Sequence, residues 1–220
     1  RARRRRGGGA PASLYAHVAQ DQRAVYVFAL DRGLVDREME ALRAAHLRRR
    51  KLPLVLDIDG TIIKNPKSLL SALEFRPHFF DTIGAIHEKY EVLLFSTGVP
   101  KHIARVAERI NKALGYELVP PERRVSTMEV NWEHRRKEKR LEFVYAFCAA
   151  GQEATWDLPL IVDDKPVAWE KKQRRNLIEV REYFGGGEEE DDRTWLEMEE
   201  ILLQVHAKFF ARVVPGGGEE

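Results

Sequence analysis

Scarcity narrows this chain before any motif does. Among its 220 residues there is one cysteine, Cys148, so no internal disulfide can form, which fits a reducing compartment. Its setting in FVYAFCAA reads as a buried structural thiol. No apolar run approaches the roughly 20 residues that a membrane-spanning helix needs, and no apolar segment of a secretory signal follows the basic start. A soluble, intracellular protein is expected. A dominant charge is also missing: 37 Lys and Arg stand against 35 Asp and Glu, a net charge of +2. Such a balance advertises neither nucleic acid nor a membrane as partner. His78, His87, His102, His134 and His206 show no metal-ligand spacing and read as surface or packing histidines.

The length suits one sizeable domain with extensions. Residues 1–23, opening RARRRR, read as a basic flexible tail, 24–212 as the folded domain and 213–220 as a second tail. Glycine triplets at 7–9, 185–187 and 216–218 punctuate the chain, and an acidic, flexible loop is expected over 185–193. Three apolar runs end abruptly in polar or acidic residues: LVL before Asp57, VLLF before Ser96 and LIV before Asp163. Helical pattern separates them, as in a parallel sheet buried on both faces. Phe79, Phe80, Ile83, Ile86 and Tyr90 would share one helical face, and Ile103, Val106, Ala107, Ile110 and Leu114 another. Leu141, Val144, Tyr145 and Cys148 suggest a third helix, NLIEV at 176–180 a further strand, AVYVFAL at 24–30 a possible strand, and DREMEALRAAHLRRRKL a helix leading into LVL. The C-terminal helix would bury Trp195, Met198, Ile201, Leu202, Val205 and Phe209. The fold class expected is α/β, an open, mainly parallel sheet flanked by helices.

Side chains alternate along a strand, so Asp57 and Asp59 would project to one side just past the carboxyl end of LVL, where open α/β sheets bind ligands. Two adjacent anions repel, and one stays protonated unless a cation or donors hold both. Asp163 and Asp164 would converge on the same edge, and four carboxylates without Cys or His describe a hard oxygen site suited to Mg²⁺. Phosphoryl chemistry follows as the leading class, with Asp57 attacking phosphorus and Asp59 moving the proton. Gly60 would allow a tight turn and close backbone approach to phosphate, and Ser96 could donate to a phosphoryl oxygen.

The motifs DIDGT at 57–61, FST at 95–97 and IVDDK at 161–165 resemble the aspartate-nucleophile phosphatases of the haloacid dehalogenase superfamily. Over roughly residues 35–212, ending in WLEMEEILLQVHAKFF, the chain is similar to the TFIIF-associating phosphatases of the RNA polymerase II carboxy-terminal domain. That resemblance implies Asp57 as nucleophile, Asp59 as acid and base, and Ser96 as phosphate binder. It places Gly60, Thr61, Thr97 and Gly98 at the substrate and Mg²⁺ on Asp57, Asp59, Asp164 and the supporting Asp163. It also supplies a lysine, matched best by Lys139, with Lys137 and Lys165 as alternatives. Gly60 and the FSTG pattern depart from close relatives, which usually carry a larger residue at the first and threonine-alanine at the second. The implied activity is a Mg²⁺-dependent protein serine/threonine phosphatase acting in the nucleus on the polymerase tail, with possible transcription-factor partners and no membrane. Alternatives are a polynucleotide phosphatase, or a non-catalytic scaffold or translocase subunit on the same fold. Only KNPKSLLSALEF separates the first motif from the next helix, too little for a large cap domain, so the site is expected to stay open.

Overall fold

The computed structural model describes residues 41, 43–66, 68, 71–130, 138–144, 158–186 and 192–213. The strand expected at 24–30, both tails, Lys137, His134 and most of the helix expected through Tyr145 and Cys148 lie outside the described residues. Within them, LPLVL forms the central strand β1 (Leu52–Leu56), buried at every position. It pairs in parallel with β2 (Tyr90–Ser96) on one side and β4 (Leu160–Asp163) on the other. Pro53 is tolerated in so central a strand because the β4 ladder begins only at Leu54, opposite Leu160. The short strands β3 (Arg124–Ser126) and β5 (Leu177–Glu179) complete a five-stranded parallel sheet in the order β3-β2-β1-β4-β5. The expected open α/β sheet is thus borne out.

From β1 the chain moves outward through β2 to β3, then returns to the other side of β1 for β4 and β5. That reversal lies between β1 and β4, and a crevice opens at their carboxyl ends. Asp57 follows β1 there, its N–H bonded to Val162 O at 3.0 Å, and Asp163 ends β4.

Helix α1 (Phe79–Ile86) buries Phe79, Thr82, Ile83 and Ile86. It stops earlier than its apolar spacing suggested, and Tyr90 opens β2 instead of continuing the helical face. Helix α2 (Pro100–Leu114) starts on Pro100, whose missing N–H costs nothing in a first turn, and buries Ile103, Val106, Ala107 and Ile110 as expected. A short helix α3 (Thr127–Val130) follows β3. Leu141–Phe143 form one 3₁₀ turn.

The long helix α4 (Thr194–Val213) docks on α1, but along a different line from the one expected. Trp195, Met198, Leu202, His206 and Phe210 are buried, whereas Ile201 is 41% exposed. Steps of three, four, four and four residues keep this line on one side of a helix with 3.6 residues per turn. Polar bonds then pin it: Thr82 Oγ1 donates to Trp195 O at 2.7 Å, Tyr90 Oη to Leu202 O at 2.7 Å, and His206 Nε2 meets Arg50 O at 2.7 Å.

Candidate active site

At the β1–β4 reversal the crevice has a volume of about 460 Å³, with Asp57, Asp59, Ser96, Lys139 and Asp163 among its walls. Thr97 and Gly98 line it too, on the loop between β2 and α2. Of the described residues between 60 and 78, Asn65 and Pro66 reach the wall.

Lys139 organises the floor. It sits in an isolated bridge to Trp169, with its N–H on Ala168 O at 2.7 Å and its carbonyl accepting Glu170 N–H at 3.2 Å. This places a lysine that is 2% exposed between two carboxylates. Its ammonium donates to Asp57 Oδ1 and, at 2.7 Å, to Asp163 Oδ2. Asp163 is further held by Trp169 Nε1 at 2.7 Å and by the Lys165 N–H at 2.7 Å. Its oxygens are therefore largely committed to the protein.

Thr61 ties the first motif to the last. Its hydroxyl donates to Asp164 Oδ1 at 2.9 Å and accepts the Asp164 N–H at 3.1 Å. Gly60 turns at φ +90°, and a Cβ there would stand 2.8 Å from Asp164 Oδ2. Gly60 and Thr61, expected at the substrate phosphate, are thus buried against Asp164 and are not among the residues lining the crevice. On the opposite wall, Ser96 Oγ accepts the Gly98 N–H at 3.0 Å, which leaves the hydroxyl proton for another acceptor. Ser126 on β3 fixes that loop by donating to Gly98 O at 2.7 Å.

Three buried carboxylates beside one buried lysine leave a surplus of negative charge. Burial pushes the Asp57 carboxyl up, Lys139 pulls it back, Asp163 and Asp164 push it further, and the outcome is about 7. Burial would lower the Lys139 ammonium, but Asp57 and Asp163 outweigh it and hold it above its ordinary value. Oxygens of Asp57, Asp163 and Asp164 come within 4.8 Å of one another. The Asp164 side chain is fully buried, yet among the described residues its Oδ2 accepts no aligned hydrogen bond, although Lys165 Nζ lies 3.0 Å away. An all-oxygen donor set with an uncommitted buried oxygen on Asp164 fits a hard divalent cation, which Asp57, Asp163 and Asp164 could hold. Asp59, included among the expected ligands, lies outside this carboxylate group.

Asp59 is engaged elsewhere. Its Oδ1 is 2.8 Å from Nε2 of His102, a histidine only 4% exposed in the first turn of α2. His102 reads from the sequence as a surface or packing residue, and neither Trp169 nor Ser126 stands out there. A DxD motif with a histidine soon after a second apolar run was the available signal for His102. Of the lysines weighed, Lys139 meets the carboxylates, and Lys165 is 47% exposed, between Asp164 and Glu182.

A family model described as NLI interacting factor-like phosphatase matches residues 52–213. The chain belongs to this family. The family is one of phosphatases, and the resemblance drawn from DIDGT, FST and IVDDK is borne out. No curated protein matches the sequence. Among solved structures, the chain is similar to Fcp1, described as an essential RNA polymerase II CTD phosphatase, with 19% identity and a TM-score of 0.49. That likeness covers 82% of this chain and 58% of Fcp1, so the chain spans under two thirds of that relative. A fission yeast Fcp1 variant bound to beryllium fluoride matches at 18% identity and a TM-score of 0.48, covering 79% of this chain and 54% of the other. A hypothetical protein from Xanthomonas campestris follows at 15% identity and a TM-score of 0.42, covering 78% and 93%. All three scores fall below 0.5, and no residue role is carried over from them.

Proposed function

We propose that this NLI interacting factor-like chain is a Mg²⁺-dependent protein serine/threonine phosphatase working through an aspartyl-phosphate on Asp57. The observation that carries the reading is the Asp57 carboxylate at the end of the central strand, facing an open crevice and braced by Lys139 against Asp163. An Asp57 oxygen attacks phosphorus while the bond to the serine or threonine oxygen breaks, and the departing oxygen takes a proton from Asp59. Water then attacks the phosphoryl group, Asp59 takes its proton, and phosphate leaves with Asp57 restored. Ser96 and Lys139 donate toward the phosphoryl oxygens, which carry the developing charge. A Mg²⁺ held by Asp57 and Asp164, with Asp163 in support, would neutralise and orient the phosphoryl group.

A protein substrate is supported by the openness of the crevice. The 64–78 segment is too short to fold over a small metabolite, and among the described residues only Asn65 and Pro66 of it reach the wall. The RNA polymerase II tail, and with it a nuclear setting, rests on the motif resemblance. Replacing Asp57 with Asn should reduce hydrolysis of an aryl phosphate to the uncatalysed background, with the circular-dichroism spectrum unchanged. Activity retained in a folded Asp57→Asn protein sinks the mechanism. Faster hydrolysis of a phosphorylated oligonucleotide than of a phosphoserine peptide sinks the substrate assignment alone.

A further inference from the structure

The His102–Asp59 pair does more than pack. His102 is held in place by the start of α2: Pro100 opens the helix, and the His102 N–H bonds Val99 O at 2.9 Å. That turn follows directly on the end of β2 at Ser96 and the loop carrying Thr97 and Gly98, so the ring is delivered to the crevice wall by the same segment that forms the proposed phosphate side. Whether Asp59 is ionised or carries its proton on Oδ2, Oδ1 can only accept, which suits the tautomer with the proton on the ring nitrogen 2.8 Å away. The other ring nitrogen, Nδ1, is buried with no hydrogen-bond partner among the described residues. Among the described residues the polar commitment of the imidazole is therefore to Asp59. An unpaired buried nitrogen is a cost that an apolar side chain of similar size would avoid. Packing alone does not account for a histidine here.

The two Asp59 oxygens are thereby distinguished. Oδ1 is tied to His102, whereas Oδ2 accepts no hydrogen bond among the described residues and lies beside Gly98, 3.7 Å from where a Cβ on that residue would stand. We propose that His102 is a positioning residue that clamps Asp59 by Oδ1, so that Oδ2 is the oxygen that gives the proton to the leaving group and later takes it from water. This inference rests on the phosphatase reading of the site. A carboxyl group free to rotate would present either oxygen, and proton transfer to a poor leaving group is the step most sensitive to such misplacement.

The test compares leaving groups. Alkyl alkoxides need the proton in the transition state, whereas aryl oxides leave largely without it. His102→Leu removes the donor while keeping an apolar, similarly sized side chain, and His102→Gln keeps an N–H at similar reach. Turnover of a phosphoserine peptide and of an aryl phosphate is measured for both, with thermal melting alongside. In His102→Leu the loss of kcat on the peptide should exceed the loss on the aryl phosphate by about tenfold or more. The melting temperature should not fall, and His102→Gln should recover most of the difference. In an Asp59→Asn background, His102→Leu should have no further effect on the peptide, because the two act as a unit. Equal losses on both substrates, a Gln variant no better than Leu, or independent effects in the double variant overturn the inference; if Leu does not fold, the Gln variant and its Asp59→Asn double still decide it. A wild-type chain inactive on both substrates overturns the phosphatase reading itself, and this inference with it.

Discussion

At Asp57 two demands meet: burial raises the carboxyl to about 7, while the proposed attack on phosphorus needs the ionised form. The folded protein therefore holds a proton on Asp57 that the unfolded chain, with its ordinary value of 3.8, releases. Between roughly pH 4 and 7 this group makes the cation-free protein less stable as pH rises, with the penalty fully developed above 7. Added Mg²⁺ should accordingly raise the melting temperature more at pH 8 than at pH 5. An equal rise at both, in a titration followed by calorimetry, would contradict that sign. Lys165 bears on the same cation, since its ammonium rests 3.0 Å from the oxygen of Asp164 that has no aligned bond. Lys165→Met should tighten Mg²⁺ binding by up to about fivefold, read by isothermal calorimetry, because a half-exposed ion pair is worth at most about 1 kcal/mol. Unchanged or weaker binding would show that the lysine does not compete. Trp169→Phe removes the indole donor from Asp163 and should cost about 1–2 kcal/mol in urea unfolding.

Among the elements, α4 depends on a buried arginine. Arg76 is 3% exposed, and its guanidinium bonds Asp192 Oδ2 at 2.6 Å, Arg181 O at 2.7 Å and Thr194 Oγ1 at 2.9 Å. The Arg76 N–H reaches Ile62 O at 3.0 Å, so one residue joins the turn after DIDGT to the start of the last helix. Arg76→Met should cost about 3–5 kcal/mol, because it leaves Asp192 buried without its cation, and hydrogen exchange should show α4 opening first. Protection lost uniformly across the sheet instead would separate α4 from this role. Burial would raise the Asp192 carboxyl, but Thr194 and Arg76 hold it below its ordinary value. That contribution is present above about pH 4 and is lost as pH falls through the lowered value.

Which elements were legible follows from the same physics. β1, β2 and β4 announce themselves because strands buried on both faces must be continuous apolar runs, and each ends where polar side chains are needed. β3 is three residues long, begins with Arg124 and pairs on one side only, so it carries no such signal. The apolar residues of α4 identify a helix, but Ile201 and Val205 drew the stripe off the line that Met198, Leu202 and His206 bury. Asp57 and Asp163 could be named from motifs and Lys139 only as the best of three lysines, whereas the clamp of Asp59 by His102 spans 43 residues of sequence and is visible only once α2 is placed against β1.

Over the whole molecule, the order of the sheet brings the ends of β1 and β4 together and leaves the resulting crevice open to a large substrate. In the proposed mechanism its negative floor gives cation binding and phosphate chemistry one common cause: carboxylates that repel one another without a cation could hold one, and Asp57 among them is the proposed nucleophile. Chelation should therefore abolish turnover and Mg²⁺ restore it, while folding persists in both states because Lys139 still braces Asp57 and Asp163. The central claim, that phosphate passes through Asp57, is tested most directly by acid-quenching the protein during turnover and weighing the peptide that contains residues 52–63. The expected result is the added mass of one phosphoryl group on Asp57, accumulating further in Asp59→Asn with an aryl phosphate as substrate, because that leaving group departs without the acid while water lacks its base. Steady hydrolysis with no phosphoryl group on that peptide at any time would contradict it.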